Sequence, residues 1–195
     1  MSTIGELICR SNKDILCVAE DSLVRMHNGC RKRIDLIRPG DAVASLGGGK
    51  CEVESVVVDH VFQRIHEGLV VIWLEGGSSI KCTADHPVWT VDRGWCAVDW
   101  MKATDSYREN VLLLGVGYCC LTYANGYAVP RRIVGIERLS GRRMTYVISA
   151  GKLHGFFAND IFVHDENIAA LTYESIGCYE MHACIDYCGF SQQGI

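Results

Sequence analysis

The chain has 195 residues, of which 49% are hydrophobic and 22% charged, a composition that supports one domain with a sizeable core and excludes a disordered chain. A net charge of −4 gives no reason to expect nucleic acid or an anionic membrane as a partner. Apolar runs such as 69–74 and 111–117 are far too short to span a bilayer.

Residues 1–16 carry charges where a secretory signal would be apolar, so they read as a flank. From Cys17 onward the sequence breaks into short β-like runs divided by turn signals. Strands are predicted at 23–26, before the turn His27-Asn28-Gly29, and at 34–37, before Pro39-Gly40-Asp41. Further strands are predicted at 42–46, 53–61, 69–74, 80–83 and 88–91, with Gly76-Gly77 and Arg93-Gly94 as turns. Residues 97–105 form the best short helix, and strands follow at 111–116, 119–129, 132–138, 144–149 and 160–164. Turn spacing of roughly 8–12 residues points to a sandwich or barrel. Helical texture appears only after about residue 166, so an all-β domain over 17–165 carries a short, partly helical C-terminal flank, 166–195.

The 11 cysteines are odd in number and contain no C-x-x-C pair, which argues against a fully paired disulfide framework. Most read as reduced small hydrophobes, in keeping with an intracellular setting, although the sequence does not fix the compartment. The tail holds Cys178, His182, Cys184 and Cys188, but without a paired knuckle no metal is expected there, and no cofactor is expected anywhere.

Three segments carry chemistry-bearing residues in a particular order. The first runs from Cys17 to Val24 and continues to Ile37-Arg38-Pro39-Gly40-Asp41. The second is Thr83-Ala84-Asp85-His86-Pro87, in which Asp85 reads as a solvent-facing turn carboxylate. The third is the run from His154 to Asp165, ending Val163-His164-Asp165. Each alone has an ordinary reading: a core cysteine, a strand end with a hydrogen-bonded histidine, an apolar hairpin.

Together and in this order they resemble the motifs of the Hint superfamily, which includes inteins, bacterial intein-like domains and Hedgehog C-terminal domains. The first resembles the block that opens with a nucleophile and closes on an L-x-P-G-D turn. The second resembles the T-x-x-H block, and the third the closing H-N-F-x-A-N-G-I-x-V-H-N strand. The resemblance spans 17–165 and implies an all-β, horseshoe-shaped Hint fold with pseudo-two-fold symmetry. It also implies autocatalytic processing, with catalytic roles for Cys17, Thr83, His86, His154, His164 and Asp165.

The residue types suit that chemistry. Cys17 directly follows the Leu16–Cys17 bond, so its sulfur can attack the Leu16 carbonyl in an N–S acyl shift that yields a thioester. By resemblance, His86 moves the proton that the departing nitrogen needs and Thr83 hydrogen-bonds at the same bond. The substrate is then the chain's own flanking polypeptide, in a single turnover by a monomer, with an external thiol, amine or water as acceptor.

The chain also departs from the family pattern. Its last strand ends His164-Asp165 where an intein ends in Asn, and Glu166 offers no thiol or hydroxyl, so C-terminal cleavage at Asp165–Glu166 is expected to be slow and splicing negligible. The Asp that many inteins carry after the Tyr of a Y-D-L strand is here Val147, leaving activation of Cys17 to His154 or local packing. Asn159 is followed by Asp160 rather than Gly, and residues 95–145 are too few for a homing endonuclease. Two alternatives stay open: a Hint fold without chemistry that serves as a structural or binding module, and a cysteine hydrolase acting in trans.

Overall fold

The computed structural model describes residues 16–47, 52–107, 111–150 and 155–165. The flank before Leu16, His154 and the tail after Asp165, with its expected helix and its cysteines, lie outside the described residues. Among the described residues, fourteen strands join in one large sheet and two more, Ala42–Leu46 and Val53–Val57, form a separate hairpin. The strand order is an open path rather than the closed barrel that turn spacing allowed. The expected all-β class holds, and the short helix forms at Trp100–Tyr107.

Turn chemistry accounts for much of the path. Gly76 and Gly77, at φ 80° and 87°, close the hairpin between Val70–Leu74 and Ser79–Cys82, a left-handed backbone that glycine adopts without penalty. Asn125-Gly126, at φ 51° and 88°, closes another between Cys119–Ala124 and Tyr127–Arg138. The sequence reading ran a single strand over 119–129. The structure corrects it, because an Asn-Gly pair takes two consecutive positive φ values and reverses the chain within two residues.

Two other expectations are corrected. The predicted strand 34–37 is a 3-10 turn, Ile34–Leu36, after the short strand Arg31–Arg33. Ile34 and Ile37 are both fully buried three residues apart, which matches the 3-10 period rather than the alternation of a strand. The run 53–61 divides, since Val58 donates to the Asp41 carbonyl and Asp59 to that of Ser149, and His60–Glu67 then pairs with Arg142–Ser149 in the other sheet.

The long strand Tyr127–Arg138 ties the two halves together. Its first part pairs with Cys119–Ala124 and its second with Val70–Leu74, across an irregularity in register between Ile133 and Gly135. One core cluster gathers Val18, Ile72, Ile80, Ile133 and Ile148. The other is aromatic, with Trp89 and Trp95 edge to face at 5.0 Å and Phe162 stacked on Trp95 at 5.6 Å.

Candidate processing site

Cys17 opens the first strand, Val18–Ala19, which is threaded between two neighbours: Val18 pairs with Tyr146 on one side and Cys82 on the other. This central position buries Leu16 and Cys17 completely. His164 and Asp165 close the last strand, Ile161–His164, whose hairpin partner is Gly155–Ala158. The Asn159-Asp160 turn between them has φ of 50° and 63° and keeps the two-residue reversal although Asp stands where the family has Gly.

The turn from Thr83 to Pro87 links these two chain ends. At its start the Thr83 N–H donates to the Cys17 carbonyl at 2.9 Å, and at its end the Pro87 carbonyl accepts from the His164 N–H at 3.1 Å. The His86 N–H donates to the Thr83 carbonyl at 3.0 Å, which curls the turn back on itself. Residues separated by nearly 150 positions thus meet around one five-residue segment.

Within that frame the Cys17 N–H, the nitrogen of the Leu16–Cys17 bond, donates to Thr83 Oγ1 at 3.3 Å. His86 is buried (1% exposed), and neither ring nitrogen makes a directed hydrogen bond. Burial and the neighbouring His164 push its pKa down to about 3, opposed by the Leu16 carbonyl, the backbone group that acts on the ring's charge. Thr83 thus touches the nitrogen of the Leu16–Cys17 bond, and the Leu16 backbone is among the groups that act on His86.

The C-terminal end has its own geometry. His164 Nδ1 lies 2.6 Å from the Asp165 carbonyl oxygen, the carbonyl of the Asp165–Glu166 bond, and its ring leans on Trp95 at 4.7 Å. The Asp165 carboxylate is completely buried and accepts from the Ala150 N–H at 2.9 Å. Five of the six candidate residues thus cluster around Thr83–Pro87, while His154 is outside the described residues.

Of two further neighbours, only the second was legible in the sequence. Asp85, read there as a solvent-facing carboxylate, is buried and ion-paired with Lys102 at 3.0 Å. The helix Trp100–Tyr107 brings that lysine in, held to the turn by the Asp99 N–H donating to the Ala84 carbonyl at 2.7 Å. Val147, standing where many inteins have a carboxylate, packs directly on Cys17 together with Phe62. None of the six described cysteines is in a disulfide, and deep burial raises the thiol pKa of Cys82 and Cys120.

Solved structures match this architecture over more than three quarters of the chain. The DnaB intein from Synechocystis is similar at a TM-score of 0.66 and 22% identity, over 78% of this chain and 100% of that one. A variant of the gp41-1 intein matches at 0.59 and 26% identity, over 77% and 100%. A bacterial intein-like domain from Clostridium thermocellum matches at 0.60 and 21%, over 78% and 100%. No family model and no curated protein matches the sequence. The fold is the Hint fold, which inteins and bacterial intein-like domains share.

Proposed function

We propose that the chain breaks its own Leu16–Cys17 bond through a thioester. The Cys17 sulfur adds to the Leu16 carbonyl, the C–N bond breaks, and the thiol proton ends on the freed Cys17 amine, so the step is an isomerisation that needs no water or cofactor. His86 carries the proton: neutral at pH 7, it accepts from the thiol and, as a strongly acidic imidazolium, delivers to the departing nitrogen. Thr83 holds that nitrogen in place. The acyl group on Cys17 then passes to an outside thiol, an amine or water.

The observation that carries this reading is the Cys17 N–H to Thr83 Oγ1 hydrogen bond, with the buried His86 three residues further along the same turn. On the C-terminal side, His164 at the Asp165 carbonyl supports slow release of the tail, with the Asp165 carboxylate attacking its own peptide carbonyl as the amine of Glu166 departs. The test is incubation of the purified chain with and without a strong thiol, followed by intact mass. Thiol-dependent loss of residues 1–16 is expected, with none from Cys17→Ala and a rate lower by about two to four orders of magnitude for His86→Ala. Release of 1–16 from Cys17→Ala at the wild-type rate would remove the nucleophile from the mechanism.

A second reading, a Hint fold that no longer processes, has its own support. Val147 supplies hydrocarbon at Cys17, and a histidine pKa near 3 lies far from a working pH. An intact chain after prolonged thiol treatment selects that reading, whereas cleavage of added peptides selects a hydrolase acting in trans.

A further inference from the structure

Three guanidinium groups converge on a cleft of 410 Å³ bordered by Arg25, Arg31, Arg131, Tyr123, Asn125 and Asp160. None of these residues belongs to the processing site. In the sequence Arg131-Arg132 reads as a solvated strand end. In the structure Arg131 sits within Tyr127–Arg138, opposite Cys120, and points over the Gly76 turn, where a Cβ on Gly76 would stand 3.1 Å from its Nη1.

The arginines are held to different degrees. Arg25 is committed: Nε and Nη2 donate to Asp160 Oδ1 at 2.9 and 2.6 Å, Nη1 donates to the Gly29 carbonyl, and its face covers the Tyr123 ring at 4.4 Å. Arg31 is half exposed and touches only the other oxygen of the same carboxylate. Arg131 makes no ion pair among the described residues. Three positive groups thus face a single carboxylate, leaving a surplus of two positive charges in a concave, mostly polar site.

Like charges so gathered repel unless an anion sits among them, and the guanidinium fork fits a planar or tetrahedral oxyanion better than a halide. Arg25 is fixed by Asp160 and Tyr123, while Arg31 and Arg131, which also line the cleft, are held by fewer contacts. We propose that this cleft is an oxyanion-binding site in which Arg31 and Arg131 together hold a phosphate or carboxylate group. The ligand class is a molecule that presents such a group, either a phosphorylated compound or an acidic side chain.

The experiment uses the full chain carrying Cys17→Ala, so that processing does not alter the sample and the outcome is independent of it. Amide and arginine Nε–H resonances are followed while inorganic phosphate, and in a separate series succinate, is added at constant ionic strength set with sodium chloride. Saturable shifts confined to Gly29, Asn125, Asn159 and the three arginines are expected. Tighter phosphate binding identifies the tetrahedral class, and tighter succinate binding the carboxylate class. Arg131→Gln and Arg31→Gln should each weaken binding by roughly tenfold or more, the worth of one charge-assisted hydrogen bond. Arg142→Gln, at an exposed strand end, should leave binding unchanged. Linear shifts that never saturate, or equal affinity in Arg131→Gln with its melting temperature preserved, overturn the proposal.

Discussion

Cys17, the proposed nucleophile, packs against Val147, with Phe62 beside that pair. Thiolate, not thiol, is the attacking species in such chemistry, and Val147 offers it no base. Val147→Asp places a carboxylate at the position where many inteins have one, so N-terminal cleavage should accelerate by about tenfold or more, toward the range of general-base effects, as read by thiol-induced mass change. Burying that carboxylate should at the same time lower the melting temperature. His86 gives a separate signature. Its folded pKa of about 3 lies below the ordinary 6.5, so the folded state takes up fewer protons than the unfolded one in that window. The sign follows: stability is complete above pH 6.5 and is lost as pH falls toward 3, by up to about 1.4 kcal/mol per pH unit. Urea titrations at pH 7 and 5 should therefore show His86→Asn losing about 2 kcal/mol less than wild type between the two. Equal losses would mean the ring is not buried neutral.

The elements show which local signals decide a chain path. Ala42–Leu46 was legible to the residue because a short apolar run ends in glycines. His60–Glu67 was not, since its polar letters pair at the sheet margin, where one side of the strand has no neighbour to demand hydrophobicity. Gly94–Ala97 was hidden behind its own turn, and its pairing with Val88–Thr90 and Leu112–Leu113 makes it a strand. Gly155, between His154 and Phe156, was likewise unremarkable in the sequence. In the sheet, a Cβ there would stand 2.6 Å from the Phe162 ring and 2.8 Å from the Val163 carbonyl, and backbone cannot step aside. Gly155→Ala should therefore cost about 1–3 kcal/mol of overpacking, measurable by denaturant unfolding, despite the mildness of the change. The Gly155 carbonyl also accepts from the buried Ser45 hydroxyl at 2.5 Å, so the same shift would disturb the small hairpin.

For the molecule as a whole, the order of three motifs gave the fold, and their convergence was foreseeable because the motifs belong to strands that the fold must bring together. What was not foreseeable was contributed from outside the motifs: Lys102 on Asp85 and Arg131 over the Gly76 turn. Each depends on strand register and helix docking, which a linear pattern does not encode. The C-terminal chemistry tests the assembled molecule, because it needs both ends in place. Wild type should yield no product joining 1–16 to 166–195, for lack of an acceptor at position 166. Asp165→Asn should speed release of the tail, and with Glu166→Cys added some ligated product should form, visible by mass. A wild-type ligated species would reveal an acceptor other than the residues named above.

The same five-residue turn has a further meaning for any chain in which this domain is embedded. Cys17 is tied to Thr83 and His164 to Pro87, and a segment of that length spans at most about 14 Å between its ends. A domain whose two junctions lie so near each other occupies a polypeptide much as a short loop does. The surrounding protein pays little additional closure entropy for hosting it, because the cost of bringing loop ends together grows only slowly with what lies between them. Tolerance of insertion then depends on whether the recipient site is an exposed loop with closely spaced ends, and hardly at all on the 149 residues from Cys17 to Asp165 that would be inserted.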